Sequence, residues 1–539
     1  MSPALFDGSK PMVMSPLFLG ASALVILAYL IRTILSRPQK LDFPVVGKPG
    51  SVNWQEALRE GAARYPNTPF TLPSDPPMVV LPHCTNDEVR LLPEEKISFQ
   101  KEIERIFLSA HTKFGRDAPA VVKTVKTDLT RHVASTTGPL QDELHYALDT
   151  ELGTCESWTK VILLQKVLRI VALISGRVFV GRPLSRDEEW LQTSINYTAD
   201  CIKAKNAAVQ WPAWTRYFIA PFLPEIQKVQ AHTNKAAELL KPVINGCIRR
   251  FREGKVLGEE SGDEFEDDQG AFVSWMMKHT SPELRENPYN LAVNQLTLSF
   301  ASIHTTSSAI YHILLNLASH PKFIAPLRKE IEQVIAEDGF DIDGSGKECL
   351  KKQSLTKLKK LDSLLKESQR LSPPSMTASL RVTTAPLHLS TGHTIPKGTS
   401  VVYDSHAVNL AGPNVSSLPN DPSTVPKLDP STMPKLDPPN VFSPFRFSSI
   451  RETPGNESKY QYVTTSKDSM NFGHGNHACP GRFFAGVEIK VVMVELLRNW
   501  EFRNIGDTEM KGGERPGNIV LGNLIHPNPA VQLEFKRRA

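Results

Sequence analysis

The chain has 539 residues, of which 40% are hydrophobic and 22% are charged, and this composition excludes intrinsic disorder for most of its length. The 62 lysines and arginines against 57 aspartates and glutamates leave a net charge of +5, too small and too evenly spread to indicate nucleic-acid binding. At about 150 residues per domain the length would suggest three or four domains, but the motifs below favour one large domain after a membrane anchor.

The six cysteines predict neither a disulfide scaffold nor a zinc module, because they lie far apart and none belongs to a CxxC pair. They stand at positions 84, 155, 201, 247, 349 and 479. This usage is typical of a protein in a reducing, intracellular compartment.

The N-terminal region predicts a membrane anchor. Residues 11–31 contain no charged side chain, and a helix of that length spans the ~30 Å core of a bilayer. Basic residues follow it, which places the rest of the chain on the cytosolic side. A cleaved signal peptide is the alternative, but the apolar run is long and its basic flank is on the C-terminal side. We therefore expect a luminal N-terminus (1–10), a transmembrane anchor (11–31), a basic, proline-rich linker (32–50) and one large cytosolic domain (51–539).

Residues 140–250 are rich in helical periodicity, for example at 158–180 and 234–252. A long helix is predicted from Pro288, which suits a first helical turn, to His320. Its apolar residues surround nearly the whole circumference, so we expect it to run through the core.

Beyond Pro373 the pattern changes to short β-like runs, for example at 387–390 and 395–398. A final helix is predicted after Cys479. Residues 421–438 form a proline-rich repeat with a period of eight, which we interpret as a surface insertion without chemistry of its own. The predicted fold class is mainly α with a small β region.

The segment around Cys479 carries the strongest chemical signal. It reads Asn-Phe-Gly-His-Gly-Asn-His-Ala-Cys-Pro-Gly-Arg, and Gly473 and Gly475 let the backbone bend and approach a flat ligand closely. Pro480 suits the first turn of a helix, so we expect Cys479 at a helix N-terminus, where the helix dipole favours the thiolate. A thiolate held against a planar ring is a suitable axial ligand for haem iron.

Two other interpretations compete at this point. His474, His477 and Cys479 would supply three ligands of a structural zinc site, but such a site needs a fourth and none is paired nearby. A buried, inert cysteine is the common case for an isolated Cys. The Phe-Gly-x-Gly-x-x-x-Cys-x-Gly spacing is too specific for that interpretation.

This segment resembles the cysteine loop of the cytochrome P-450 family of haem-thiolate monooxygenases. The resemblance implies that Cys479 is the axial ligand of the haem iron and that Phe472, Gly475 and Gly481 belong to its loop. His477 stands where many members have an arginine that contacts a haem propionate. The resemblance extends over the chain from about residue 45 and is strongest to fungal secondary-metabolite members, which include oxidases of diterpenes and indole-diterpenes.

A second family motif lies upstream. Glu367-Ser-Gln-Arg370 matches the Glu-x-x-Arg helix of the family, whose pair locks with a later arginine, best matched here by Arg446. The resemblance implies a structural role for this triad. Glu102-Ile-Glu-Arg105 has the same spacing, which we attribute to chance, because only the later pair is followed by Leu-Ser-Pro-Pro.

The long helix supplies the third match, Ala301-Ser-Ile-His-Thr-Thr. Thr305 lies four residues after Ala301, so its hydroxyl can bond to that carbonyl and open a groove for water and dioxygen. A buried threonine that is merely satisfied by its own helix is the alternative. Ser302 replaces the usual glycine, and His304 replaces the acid that relays protons in the family. Histidine also relays protons near neutral pH, and a merely structural His304 is the alternative.

The resemblance implies an enzyme that uses dioxygen to hydroxylate or further oxidise a lipophilic, terpenoid-type substrate, with Thr305 passing protons to the oxygen. The predicted anchor would hold this enzyme at the membrane. The implied cofactor is haem b, with Arg381 as another propionate contact. Nothing resembles a flavin or nicotinamide domain, so electrons are expected from a separate NADPH-cytochrome P-450 reductase, with cytochrome b5 as a second donor. The expected location is the endoplasmic reticulum membrane, with the catalytic domain in the cytosol.

Two alternatives stay open. A P-450-fold isomerase or dehydratase would not need dioxygen, and the intact Thr305 argues against it. A non-catalytic haem sensor or carrier is a different class, against which the proton-delivery helix argues. The candidate substrate-pocket walls, by analogy, are Ala301, Thr305, 375–380 and 517–524.

Overall fold

Helices form most of the structure, which is a computed structural model. It describes residues 41–254, 271–411 and 436–538, apart from positions 49, 52, 343–345 and 347. The predicted anchor at 11–31 and most of the repeat at 421–438 lie outside the described residues. Within the described residues, no helix is both long enough and apolar enough to cross a membrane.

The elements follow one another in an order dominated by helices. The α-helices are α1 (Gln55–Arg64), α2 (Asn86–Val89), α3 (Phe99–Ile106), α4 (Ser109–Thr112), α5 (Ala118–Thr124), α6 (Thr130–His132), α7 (Thr137–Glu151), α8 (Leu163–Phe179), α9 (Glu188–Val209), α10 (Arg216–Ile219), α11 (Pro224–Arg252), α12 (Ala271–His279), α13 (Pro282–Arg285), α14 (Pro288–Ser319), α15 (Ile324–Asp338), α16 (Ser354–Lys357), α17 (Lys359–Leu371), α18 (Ser405–Ala411), α19 (Arg446–Arg451) and α20 (Arg482–Asn499). The strands are β1 (Phe70–Leu72), β2 (Met78–Val80), β3 (Ile97–Ser98), β4 (Thr159–Ile162), β5 (Phe340–Ile342), β6 (Glu348–Leu350), β7 (Thr377–Thr383), β8 (Leu387–His388), β9 (Thr394–Ile395), β10 (Ser400–Asp404), β11 (Trp500–Asn504), β12 (Ile519–Leu521), β13 (Leu524–His526) and β14 (Gln532–Arg537).

Helix α14 runs through the core. The Asn287 side chain caps its first turn by accepting hydrogen bonds from the amides of Tyr289 and Asn290, and Pro288 occupies that turn. Most of its residues are buried, and it packs against α8, α9, α11, α17 and α20. The predicted long core helix is therefore confirmed, and it ends at Ser319, one residue before the predicted His320.

The strands form small sheets at the side of the helical core. The largest has five strands in the order β1-β2-β10-β7-β3, and a three-stranded sheet has the order β11-β14-β4. Only β2 and β10 run parallel in the larger sheet; its other pairs are antiparallel. The predicted β-like run at 387–390 pairs with the chain at 394–395 as the hairpin β8-β9.

One predicted helix begins too early in the sequence. Periodicity predicts helix from Trp158, but residues 159–162 form β4, which pairs antiparallel with β14. The helix starts at Leu163. The pairing partner lies near the C-terminus, so a local pattern cannot reveal it, and tertiary pairing outweighs helical propensity here.

Two helices frame the segment that contains Cys479. Helix α17 is buried along most of its length and packs against α14, α18 and α19. Strands β7–β10 and helix α18 come next in the chain. The short helix α19 then leads into an irregular segment at 452–469. Helix α20 begins at Arg482, as predicted for the stretch after Cys479.

Candidate active site

The loop before α20 folds back on itself around Cys479. The amide of Cys479 donates to the carbonyl of Phe472 at 2.7 Å, and the Gly473 amide donates to the Met470 carbonyl at 2.8 Å. Gly475 has a φ of +76°, and a Cβ there would lie 2.7 Å from the Cβ of Arg90. Only glycine fits that conformation and that contact, so the loop is held against the chain at Arg90.

The thiol of Cys479 is accessible although protein surrounds it. The residue is exposed, yet desolvation raises the pKa of its thiol, and the nearby amide of Gly481 acts in the opposite direction. Exposure of the residue together with desolvation of its thiol indicates that Cys479 faces a space enclosed by protein and not bulk solvent. The backbone amides at the start of α20 act in the predicted direction, toward the thiolate, and burial of the thiol outweighs them.

Helix α14 also has an exposed site within the structure. Ala301 and Thr305 are exposed, one helical turn apart, on a helix that is otherwise mostly buried. The Thr305 hydroxyl donates to the carbonyl of Ala301 at 2.7 Å, which is the hydrogen bond expected from their spacing. Helix α14 nevertheless continues without interruption through this turn.

His304 is directed toward another helix. Its Nε2 atom lies 2.9 Å from the carbonyl oxygen of Ile195 on α9, so this nitrogen carries the proton and donates. Burial lowers the pKa of His304, and the Ile195 carbonyl partly offsets that effect. The neutral His304 imidazole therefore links α14 to α9 through a backbone carbonyl.

Basic side chains gather beside the cysteine loop. The Arg381 guanidinium is buried, donates to its neighbouring carbonyl at Leu380 at 2.6 Å and lies 5.2 Å from the centre of the Phe99 ring. Burial lowers its pKa to about 10. Among the described residues, no carboxylate forms an ion pair with Arg381. A buried guanidinium of this kind suits an anionic group of a bound ligand.

His477 lies in the same neighbourhood. Burial lowers its pKa, Arg381 lowers it further, and Glu94, 3.6 Å from its Nδ1, raises it. Lys126 also acts on this imidazole from the π-helical turn that follows α5. The sequence analysis missed Lys126, because nothing in the local pattern distinguishes it from other lysines of the 100–130 region.

Two further loop residues behave differently from each other. The Phe472 ring packs edge-on against the Tyr462 ring, with the ring centres 5.2 Å apart. Gly481 caps α20 with a negative φ, and a Cβ there would make only an ordinary contact, 3.8 Å from Val125. The protein atoms alone therefore do not explain why position 481 is glycine.

The three residues of the Glu-x-x-Arg motif come together in the interior. Arg370 donates to the two Glu367 carboxylate oxygens at 2.7 and 2.9 Å, and the Arg446 Nε lies 3.2 Å from each oxygen. The remaining N–H groups of Arg446 donate to the carbonyls of Asp437, Pro438 and Val441. The triad thus ties α17 to the chain that leads into α19.

The zinc interpretation finds no support in the described part of the chain, which contains no group of three His, Cys, Asp or Glu side chains arranged to hold a metal ion. The Nδ1 atom of His474 is buried without a hydrogen-bond partner. A haem-iron site would use only one protein sulfur, so this finding does not count against it.

The two predicted pocket-wall segments contact each other. Asn523 accepts a hydrogen bond from the Met376 amide at 2.7 Å and donates to the Thr377 hydroxyl at 2.5 Å. Two open surface clefts of about 700 and 480 Å³ lie elsewhere, at 504–516 and 319–328, and neither contains a predicted site residue.

Comparison with known proteins identifies the class. The family model described as Cytochrome P-450 matches residues 133–411 and 436–529, which include the long helix, the Glu367 motif and the cysteine loop. The chain belongs to this family. The resemblance inferred from the motifs is confirmed, and the family implies a bound haem.

The relatives make the assignment more specific. The chain is 45% identical to cytochrome P-450 monooxygenase ascG of Acremonium egyptiacum, over 100% of this chain and 99% of the relative. It is 39% identical to monooxygenase BOA7 of Botryotinia fuckeliana, over 94% and 91% of the two chains. It is 32% identical to monooxygenase gliF of Aspergillus fumigatus, over 95% and 96%. The protein is a cytochrome P-450 monooxygenase.

Proposed function

We propose that this monooxygenase hydroxylates a lipophilic, terpenoid-type intermediate of fungal secondary metabolism, with Cys479 as the axial ligand of haem b. The observation that carries the proposal is the exposure of Cys479 in its loop and of Ala301 and Thr305 on the mostly buried helix α14. A flat cofactor bound between Cys479 and this turn of α14 would have a thiolate on one side and the Thr305 hydroxyl on the other.

The residues present fit such a cofactor. Cys479 supplies a sulfur that ligation would deprotonate, against the desolvation that now raises its pKa. Arg381 and Lys126, which both lower the pKa of His477, would supply positive charge for the two propionate carboxylates, and His477 would donate a hydrogen bond as a neutral imidazole. When bound, the haem supplies dioxygen activation and transfer of one oxygen atom to carbon.

Thr305 and His304 of α14 are the residues proposed to bind water or to transfer protons. The Thr305 hydroxyl, now donating to the Ala301 carbonyl, can turn to hold a water molecule in the opening beside it. His304 points its N–H at the Ile195 carbonyl, which supports a structural role over a relay. His304→Ala tests this: we expect altered substrate binding with unchanged peroxide leakage, whereas increased leakage would support the relay.

A membrane location is proposed from the predicted anchor and from a set of exposed aromatic residues. This aromatic patch, on the chain between α9 and α11, consists of Trp211, Trp214, Tyr217, Phe218 and Phe222. Aromatic side chains of this kind favour the membrane–water interface.

The aromatic patch is tied to the part of the structure where the N-terminal chain enters. Arg216 within the patch forms an ion pair with Asp75. Asp75 follows β1, and Thr71 of β1 bridges to Val45. The patch and Val45 of the predicted linker therefore lie in one region of the structure. Protease protection and carbonate extraction of the full chain test the single-pass topology in the endoplasmic reticulum.

Electrons are proposed to come from NADPH-cytochrome P-450 reductase, with cytochrome b5 as a second donor. The first turn of α20 offers a docking point, because Phe483 is exposed there under the Arg482 guanidinium, which lies 4.3 Å from its ring centre. Omission of the reductase should abolish turnover, and turnover without it would indicate an isomerase or dehydratase.

The decisive test is the absorption spectrum of the reduced, carbon-monoxide-bound protein, with Cys479→Ser as the comparison. We expect a red-shifted Soret band typical of thiolate ligation in the wild type and its loss in the variant. A histidine-type band in the wild type, or a thiolate band that survives in Cys479→Ser, would contradict the proposed ligand. Product analysis with terpenoid substrates and the reductase then tests the substrate class.

A further inference from the structure

Lys366 on α17 is a buried lysine whose ammonium group is fully used inside the protein. It is 4% exposed. Its Nζ donates to the Ser469 hydroxyl at 2.9 Å and to the carbonyls of Gln461 and Thr464 at 3.1 and 3.4 Å. An ammonium group has three N–H donors, so each has an acceptor. Burial lowers the pKa of Lys366 to about 8, and Asp362 opposes that effect, so the group remains mainly protonated at pH 7.

All three acceptors belong to one irregular segment, residues 461–469, which we call the pre-loop segment. It lies directly before the cysteine loop, residues 470–481. A partly buried segment without regular secondary structure needs partners for its backbone groups from other parts of the chain. Lys366 supplies donors for two of its carbonyls, and Asp362, one helical turn away, accepts from the amide of Tyr462 at 2.9 Å.

The pre-loop segment contacts the cysteine loop at both of its ends. At its start, the Tyr462 ring packs against the Phe472 ring. At its end, Ser469 is followed by Met470, which is buried and whose carbonyl accepts the amide of Gly473. The Phe472 carbonyl in turn accepts the amide of Cys479. Lys366 therefore reaches the cysteine backbone through two short chains of contacts.

The neighbouring triad does not make these contacts. Glu367 accepts from the amide of Ser443, and Arg446 donates to carbonyls at 437–441, all of which lie before α19. The triad and Lys366 thus hold two different stretches of chain, one before α19 and one directly before the cysteine loop.

We propose that Lys366 is a positioning residue for the haem-ligand loop: its ammonium fixes the pre-loop segment, and that segment holds Phe472 and the Cys479 backbone in place. The inference rests on the proposed role of Cys479 as haem ligand. It assigns a role in the enzyme to a lysine that would otherwise be only a buried charge.

The test is amide hydrogen exchange of the purified full-length protein, followed in peptides that cover 461–481 and in peptides from α14. Lys366→Met keeps the length of the side chain and removes the donors. Lys490→Met is the matched control, because Lys490 is also a largely buried lysine beside Asp362, at 2.7 Å, but donates to the Leu355 carbonyl instead of the pre-loop segment. Asp362 keeps Arg451 as an ion-pair partner at 3.2 Å in this variant, so its bond from the Tyr462 amide is retained. Ser469→Ala removes one acceptor only and serves if Lys366→Met does not fold.

We expect exchange in 461–481 to become on the order of tenfold faster in Lys366→Met, with a smaller increase in Ser469→Ala, and no change in the α14 peptides. Lys490→Met should leave 461–481 as in the wild type. Equal exchange in Lys366→Met and the wild type, or an equal increase in Lys490→Met, would overturn the inference.

The carbon-monoxide spectrum separates this inference from the proposed function. If the wild type shows the thiolate band, Lys366→Met should lose a larger share of it than Lys490→Met, and Lys366→Arg should restore part of it. Equal losses in the two methionine variants would count against positioning by Lys366. If the wild type lacks the band, the proposed ligand is wrong, and the exchange data alone decide whether Lys366 holds the loop.

Discussion

Among the described residues, two buried glutamates each pair with an arginine that follows three residues later on the same helix. On α17, Glu367 and Arg370 are 0% and 4% exposed, and Arg446 joins them at 2%. On α3, Glu102 is 1% exposed and bonds to Arg105 at 2.5 Å, but Arg105 is 36% exposed. The spacing alone makes a pair in both places.

The third partner separates the two pairs. Glu102 accepts a hydrogen bond from the Ser400 hydroxyl at 2.6 Å, which ties α3 to strand β10. Glu367 meets a second arginine, whose other N–H groups hold three backbone carbonyls of an irregular segment. The Glu367–Arg370 pair, which we call the enclosed pair, therefore fixes an irregular stretch of backbone. The Glu102–Arg105 pair, which we call the open pair, joins a helix to a strand. The earlier pair is not without consequence, although its spacing was attributed to chance.

Glu367→Gln should produce the largest effect, because it leaves two buried guanidinium groups without a counter-charge. Removing one partner of a buried ion pair costs about 3–5 kcal/mol. We expect little folded, haem-containing protein, and a sharply lower urea midpoint in whatever can be purified. The measurement is haem content per chain with urea denaturation. A variant with a wild-type midpoint would show that the arginines do not depend on this carboxylate.

Glu488 on α20 offers a third kind of buried glutamate, one bonded to a hydroxyl. It accepts from Ser175 at 2.5 Å, and burial raises its pKa to about 8, an effect that Ser175 only partly offsets. The carboxyl therefore stays protonated in the folded protein at pH 7, while the unfolded chain ionises above its ordinary value near 4.5. Its stabilising contribution is complete below pH 4.5 and is lost as the pH rises toward 8.

Glu488→Gln removes this pH dependence while it keeps the shape of the side chain. We expect the variant to gain stability relative to the wild type between pH 5 and 8, by a few kcal/mol at the upper end. Urea denaturation at pH 5 and pH 8 measures the difference. Parallel pH profiles for the two proteins would mean that the carboxyl is ionised in the folded state.

The sequence predicted the features that depend on local pattern. The helix from Pro288 followed from its proline and its apolar circumference, and the loop at Cys479 from its glycines and proline. Partners distant in sequence could not be predicted: β4 pairs with β14, and His304 bonds to a carbonyl of α9. The polar face of α17 that includes Lys366 has the composition of an exposed face. This face is buried because the pre-loop segment packs on it and accepts hydrogen bonds from Lys366. Helical periodicity cannot predict such a contact.

Arg446→Lys should have an intermediate effect, and it separates charge from geometry in the enclosed pair. Lysine keeps a positive charge near Glu367 but loses the planar fork that reaches the carbonyls of Asp437, Pro438 and Val441. We expect a loss of about 1–3 kcal/mol in urea denaturation, from backbone acceptors left without a donor. A loss as large as that of Glu367→Gln would mean that lysine cannot compensate the carboxylate at all.

Glu102→Gln should have the smallest effect on stability of the four substitutions, because Arg105 can be solvated when its ion pair is lost. Arg105 is more than a third exposed and can turn toward water, while the glutamine carbonyl can still accept from Ser400. We expect a loss of about 1 kcal/mol, close to the value for a partly exposed pair, with normal haem content. Arg105→Gln is the matched control, and it should cost more, since it leaves the buried Glu102 carboxylate with only a hydroxyl partner. If Glu102→Gln instead lowered the free energy of unfolding as much as Glu367→Gln, burial of the arginine would not distinguish the two pairs. The Glu-x-x-Arg spacing itself would then account for the stabilisation.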